Sequence, residues 1–267
     1  MTDELVGANR ANWDERVAIH IASEFYDVDA FRSGRVTVHA WEIDEVGPVD
    51  GMDLLHLQCH FGLDTLSWAR LGARVVGLDF SQPAIAHAEA LASELGIEAR
   101  FLCASVYDLP PELCAAFDVV YTSHGVLCWL PDLRGWAATI ASALRPGGRF
   151  YISEFHPFMD VFASDVSNNA LQPEISYFDR EAHRYEGSGT YADLEAATTN
   201  NVTYEWHHTL GDVVSELTGA GLQIELLRER PFTLFQRFSF LEQRDGAYRT
   251  PPGVELPLMF SLRARKE

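Results

Sequence analysis

Lysine is almost missing from this chain of 267 residues, with Lys266 the only one. Lys and Arg together number 20 against 39 Asp and Glu, a formal net charge of −19. Such an acidic excess repels a phosphate backbone and an anionic lipid surface, so neither nucleic acid nor a membrane is an expected partner. Cysteine is scarce as well. Cys59, Cys103, Cys114 and Cys128 have neither CxxC spacing nor the density of a disulfide scaffold, which fits a reducing, cytoplasmic compartment. No apolar run approaches the roughly 20 residues needed to span a bilayer. The opening MTDELVGANRANWDERV lacks the basic segment and apolar run of a signal peptide, so none is expected.

What is present is core-forming material, 47% of the residues being hydrophobic. From about residue 52 to 154, short apolar runs alternate with helical periodicity, the pattern of a parallel α/β sheet. Strands are expected over 53–57, 74–78, 99–103, 117–121 and 149–153. Between them, 63–71 reads as a helix closed by Gly72, and Ser81 reads as an N-cap with Pro83 in the first turn. Ile85, Ala88, Leu91, Ala92 and Leu95 form that helix's apolar stripe, and Gly96 ends it. Residues 155–207 break the rhythm and are rich in aromatics. The core pattern resumes at Thr209 and Asp212, which resemble a capping box, and closes with strands over 222–229 and 256–264. The expected organisation is an N-terminal helical cap over 1–50, with one or two helices between 9 and 35. One α/β domain follows over 51–267, carrying the aromatic insert at 155–207.

The order strand, tight turn, helix, strand ending in an acid is a nucleoside-binding arrangement. Gly62 is placed for close backbone approach. Asp79, at the end of the second strand, is placed to accept hydrogen bonds from both ribose hydroxyls. No GxGxxG opens the first helix, which counts against a nicotinamide-dependent oxidoreductase. His56, His60 and His124 all fall at C-terminal strand ends, where open α/β sheets bind ligands. Their spacing matches no metal motif, and no metal site is expected.

Residues 52–154, with continuation through 209–265, resemble the class I S-adenosylmethionine-dependent methyltransferases. The resemblance is carried by LLHLQCHFG (54–62), VVGLD (75–79), YDLP (107–110), FDVV (117–120), WLPD (129–132) and LRPGG (144–148). It implies a Rossmann-like sheet, mostly parallel with an antiparallel last strand and helices on both faces. It also implies S-adenosyl-L-methionine as cofactor, S-adenosyl-L-homocysteine as product and a small-molecule acceptor. Cofactor contacts would then come from His56, Gln58, Cys59, His60, Gly62, Asp79, Phe80, Ser105, Val106, Ser123 and His124. Two departures stand out. The family's acid-x-Gly-x-Gly-x-Gly reads His56-x-Gln58-x-His60-x-Gly62 here, and Ser105 occupies the position of the acid that meets the adenine amino group. These departures keep a non-catalytic nucleoside-binding protein in view as the alternative.

His156 follows the fifth core strand, close to where an acceptor would sit, and is the expected general base. His207 and His208 are adjacent, so at most one of them enters a pocket. The aromatic insert reads either as a lid over the acceptor or as a small second core.

Overall fold

Apolar runs flanked by helices pair as parallel strands because each strand then buries both faces. In the computed structural model, which describes residues 2–162 and 171–267, three helices precede the sheet: α1 (Thr2–Ala22), α2 (Val28–Arg32) and α3 (Ala40–Val46). Strand β1 (Asp53–Leu57) leads through α4 (Leu63–Arg70) to β2 (Arg74–Asp79), then through α5 (Gln82–Leu95) to β3 (Ala99–Cys103). Next come β4 (Phe117–Ser123), α6 (Leu133–Ala143) and β5 (Leu144–Phe155). A hairpin of β6 (Ala182–Glu186) and β7 (Val202–Trp206) is followed by α7 (Leu210–Gly219) and β8 (Leu222–Arg230). A second hairpin, β9 (Glu242–Arg244) and β10 (Ala247–Arg249), precedes β11 (Met259–Lys266).

The main sheet has the order β3-β2-β1-β4-β5-β11-β8, with β11 antiparallel to both neighbours and the other pairs parallel. Chain direction across the sheet reverses between β1 and β4, and the crevice at such a switch point is where open α/β sheets hold ligands. Leu54, Leu55 and Leu57 of β1 are wholly buried, each contributing roughly 1.5–3 kcal/mol through side-chain burial. The local signals act as expected. Ser81 caps α5 by accepting from Ala84 N, Gly96 ends it at φ 63°, and Thr209 with Asp212 forms the capping box of α7. One strand departs from expectation. Strand β5 starts at Leu144, not Arg149, because Leu144 already pairs with Phe117 before the register shifts to Arg149–Val119. The Pro146-Gly147-Gly148 segment absorbs that shift, Gly147 taking φ 78°.

Helix α1 also starts earlier than expected and hides its inner face from hydrophobic patterning. Its buried residues are Asn9, Asn12, Arg16, Val17 and His20, four of them polar. Asn9 exchanges two hydrogen bonds with the Tyr204 backbone, at 2.7 and 2.8 Å. Arg16 donates to the carbonyls of Gly189 and Asn200 at 3.1 and 3.0 Å. Glu15 accepts from the amides of Thr199 and Asn200 at 2.8 and 2.7 Å. The helix is thus laced to the chain around β7 by polar contacts.

Helix α3 is anchored differently, through the buried Glu45. Its Oε1 pairs with Arg230 Nη2 at 2.7 Å, and its Oε2 accepts from Ser261 and Tyr151 hydroxyls at 2.7 and 2.9 Å. That network fixes the last turn of α3 beside β5, β8 and β11.

Of the aromatic insert, residues 163–170 lie outside the described residues. Among the rest, Phe155 and Phe162 pack on a small separate core of Met159, Phe238, Leu241 and Leu258. Tyr191 instead contacts α1 and Tyr26. Among the described residues no helix is long and apolar enough to cross a membrane.

Candidate functional site

The turn between β1 and α4 lies at the switch point. Gln58, His60 and Gly62 all adopt positive φ, at 56°, 50° and 85°. The two non-glycine residues therefore keep the left-handed backbone that glycine adopts most easily, at about 1–2 kcal/mol each. Gly62 has no such latitude. A Cβ there would lie 2.9 Å from both Ala88 Cβ and Phe101 Cε1, so α4 can pack this close only without a side chain.

Asp79 closes the other side of the crevice. Its two oxygens accept from the amides of His60 and Ser81 at 2.8 and 2.9 Å. Burial raises its pKa to about 6 against the opposing pull of those amides. Each oxygen keeps a further lone pair for an incoming hydroxyl. Ser81 Oγ donates to Asp14 of α1 at 2.6 Å, and Arg10 of α1 lies 5.8 Å from the Phe80 ring. Helix α1 thus lies directly over the acid.

A roof of rings completes this half. His60 Nε2 lies 2.9 Å from His20 Nδ1, and His20 Nε2 lies 2.7 Å from Thr190 Oγ1. Trp13 packs edge-on against His20, His60 and Trp129, while the Tyr26 and Tyr191 hydroxyls are hydrogen-bonded. Desolvation lowers the pKa of His20 to about 4 and that of His60 well below the usual imidazole range. Both rings are neutral.

The remaining expected residues divide. Cys59 points into the core with Phe61, Ala88 and Phe101, and burial pushes its thiol pKa well up. Only its backbone faces the turn. Val106 is likewise a core side chain. Ser105 uses its hydroxyl to accept from Tyr107 N at 3.3 Å, beside β2, since Ala104 N donates to Asp79 O at 2.9 Å. Gln58 donates to Val126 O at 3.2 Å, tying the turn to the loop after β4. His56 turns its Nδ1 to Thr65 Oγ1 at 2.8 Å and leaves Nε2 buried without a hydrogen bond. Its pKa falls to about 4 through desolvation, so no charge stands at the usual acid position. Asp64, one turn away on α4, supplies the nearby carboxylate instead, accepting from Thr37 and Ser123 hydroxyls at 2.5 and 3.1 Å. Position alone gave no reason to single it out.

His156 has protein partners on both sides of its ring. Its Nδ1 accepts from Phe158 N at 3.1 Å, and Nε2 lies 2.9 Å from Glu229 Oε1 on β8. Its ring packs near Phe260 on β11. Nδ1 thus faces the segment after β5 and Nε2 faces β8. Burial, moreover, lowers its pKa. Glu154 faces the crevice loop, accepting from the amides of Gly125, Val126 and Leu127. His208 bonds Leu130 O at 2.8 Å, whereas His207 packs on His183.

His56, His60 and His124 do not converge on one point. His124, following β4, approaches α3 instead: its Nε2 lies 3.4 Å from Oε1 of the buried Glu42. Glu42 accepts from the Tyr121 hydroxyl at 2.8 Å and the His39 amide at 2.9 Å. Trp41 stacks on His39 at 4.1 Å and meets Phe232 at 5.3 Å, while Phe155 packs near His124 and Phe235. This aromatic wall over β4 and β5 was legible only in part, since Phe232 and Phe235 lie outside the aromatic insert.

A broad groove of about 1160 Å³ lies at the opposite, N-terminal ends of the strands. Its Arg74, Arg100 and Arg145 are paired with Asp53, Glu112 and Asp118.

Residues 55–152 match the model of a family described as a methyltransferase domain. A ubiquinone biosynthesis O-methyltransferase of Xanthomonas axonopodis pv. citri is 33% identical over 116 residues, covering 43% of this chain and 48% of that protein. The chain thus aligns with about half the length of that curated relative. The structure of an S-adenosylmethionine-dependent methyltransferase from Mesorhizobium loti superposes with TM-score 0.59 at 20% identity, covering 88% of this chain and 100% of that one. A 1,6-didemethyltoxoflavin-N1-methyltransferase from Burkholderia thailandensis, solved with 1,6-didemethyltoxoflavin and S-adenosylhomocysteine, gives 0.57 at 20% identity over 100% of this chain and 90% of that one. The ordered sequence motifs, the sheet order and the matched domain agree: residues 55–152 match a methyltransferase domain, set in a sheet whose order is shared with S-adenosylmethionine-dependent methyltransferase structures, and together these support a class I methyltransferase family.

Proposed function

We propose that the chain binds S-adenosylmethionine between the β1–α4 turn and Asp79, and transfers its methyl group to a small-molecule acceptor held above β4 and β5. The observation that carries this reading is the Asp79 carboxylate, locked by the His60 and Ser81 amides at the switch point with acceptor capacity to spare. A ribose diol would use that capacity. The left-handed backbone at 58, 60 and 62 supports the same reading, since it brings the turn's amides to the crevice.

A sulfonium methyl is intrinsically reactive, so alignment of nucleophile, methyl carbon and sulfur, with water excluded, supplies most of the rate gain. The ring roof from Trp13, Tyr26 and Tyr191 suits water exclusion. The acceptor's expected character is apolar or aromatic, from the wall of Trp41, Phe155, Phe232 and Phe235. Curated and structural relatives named for O- and N-methyl transfer support a small acceptor, and the charge of −19 argues against nucleic acid.

Calorimetry with S-adenosylhomocysteine tests the reading. Asp79→Ala should weaken binding by about 1.5–3 kcal/mol, the typical worth of hydrogen bonds to a charged group, or roughly 10–150-fold. An unchanged dissociation constant would remove Asp79 from the ribose site. Binding without turnover on any acceptor would favour the non-catalytic alternative.

A further inference from the structure

We infer that His39, Glu42 and His124 form a binding site for one divalent transition-metal ion. One nitrogen or oxygen from each side chain lies within 4.8 Å of the others. The 3.4 Å between His124 Nε2 and Glu42 Oε1 is about the edge spanned by two metal–ligand bonds of roughly 2.0–2.1 Å at a tetrahedral angle. That pair stands ready, and His39 closes the triangle by a small ring movement.

The sequence explains why these atoms converge. His39-x-x-Glu42 sets two ligands on the opening turn of α3, on one face of it. The Glu45 network holds α3 against β5, β8 and β11, and β4 delivers His124 from the other side. Outer contacts orient the ligands: the Tyr121 hydroxyl and the His39 amide hold the carboxylate, and Trp41 stacks flat on the His39 ring. Such supporting contacts are what fix ligand geometry in metal centres.

Two observations point to an absent cation. Glu42 has 0% exposure, and its carboxylate accepts hydrogen bonds from neutral donors, the Tyr121 hydroxyl and the His39 amide. Burial of a carboxylate costs several kcal/mol unless a positive partner offsets it. Independently, His124 Nε2 is buried with no hydrogen-bond partner. Two imidazoles and one carboxylate suit zinc, iron or manganese, whereas Mg²⁺ and Ca²⁺ favour all-oxygen shells.

The site itself stands independently of the methyl-transfer reading, but its use rests on it. An ion beside Trp41 and Phe155 takes an acceptor hydroxyl oxygen as its fourth ligand and lowers that hydroxyl's pKa. The O–H proton leaves to solvent as the acceptor binds the ion, before the transfer step. The oxygen then attacks the methyl carbon as its bond to sulfur breaks, releasing a neutral thioether. This supplies an activation that does not call on His156.

The test is a Zn²⁺ titration by calorimetry of the full chain after chelator treatment, with no cofactor added. One equivalent should bind. His124→Ala and Glu42→Gln should each weaken binding by more than the roughly 10–100-fold that loss of an outer-shell partner brings. Co²⁺ in place of Zn²⁺ should give visible d–d absorption without a thiolate charge-transfer band. Wild-type binding no tighter than that of His124→Ala, or a thiolate band from the cysteines, overturns the proposal. Should Glu42→Gln not fold, His124→Ala carries the test, because that side chain is 17% exposed and its Nε2 makes no hydrogen bond. S-adenosylhomocysteine affinity, measured on the same samples, reports on the methyl-transfer reading separately.

Discussion

Replacing His60 by glycine restores a family glycine, yet the structure predicts that it destabilises the protein. The gain is relief of left-handed strain at φ 50°, about 1–2 kcal/mol. Against it stands the greater freedom of glycine in the unfolded chain, about 0.5–1 kcal/mol. The larger loss is the 2.9 Å contact to His20. His20 is fully buried, and a buried polar atom left unsatisfied costs about 1–3 kcal/mol. The His60 ring also packs on Trp13 at 5.3 Å and Phe61 at 4.5 Å, worth about 0.5–1.5 kcal/mol per pair. The balance is a destabilisation of about 2–3 kcal/mol, and a chain of this size should lose about 5–10 °C in melting temperature. Calorimetric melting of wild type and His60→Gly measures it, and hydrogen exchange should show α1 loosening before the sheet. A variant melting at or above wild type would refute the idea that the ring, rather than the turn, justifies the strain.

Gly62→Ala should cost about 2–4 kcal/mol, combining left-handed strain with overpacking against Ala88 and Phe101; urea unfolding reads this directly, and a change below 0.5 kcal/mol (about the scatter of a neutral surface substitution) would contradict the close contact. Glu45→Ala leaves the buried Arg230 guanidinium without its carboxylate and should destabilise by about 3–5 kcal/mol, with chemical unfolding as the check. On pH, His20 and His56 have folded pKa values lowered to about 4. Their contribution is therefore complete above the unfolded value near 6.5 and is lost as pH falls from there toward 4. Asp79 acts oppositely. Its pKa is raised to about 6, so protonation favours the fold as pH falls through 6 toward 4. Urea melts across that range should show falling stability, and Asp79→Asn should make the fall steeper; an unchanged slope would argue against the raised value.

The parallel core was readable because each strand is buried on both faces and so appears as an apolar run, punctuated by Ser81, Gly96 and Thr209. Helix α1 was readable only in part. Its inward stripe of Asn9, Asn12, Arg16 and His20 carries no hydrophobic period, and its partners lie nearly two hundred residues away. The β9–β10 hairpin did leave a signal, the Asp245-Gly246 turn with both residues at positive φ, which the sequence reading passed over. Gln58 and His60 take conformations whose usual marker is glycine, so their residue types concealed a turn that kept its shape. His156 illustrates the remaining limit: a position at a strand end is legible, but its partner Glu229 belongs to a strand formed much later in the chain. His39 and Glu42 offered a helix-turn spacing, His-x-x-Glu, that has meaning only once β4 brings His124 to it.

The polar lacing of α1 has a thermodynamic consequence. Undocking α1 exchanges the hydrogen bonds of Asn9, Asn12, Arg16 and Glu15 for water and uncovers apolar surface chiefly at Trp13 and Val17, far less than the sheet would expose. Heat-capacity change and denaturant sensitivity both scale with newly exposed surface, so both should be small for this step. Exchange of amides in α1 should then be nearly independent of low urea concentrations, while amides in β1 and β4 respond steeply. The temperature dependence of undocking should follow a straight van't Hoff line where global unfolding curves. Entry to the crevice over Asp79 would consequently carry a nearly constant enthalpy, with a similar proportional response to warming at either end of the protein's working range.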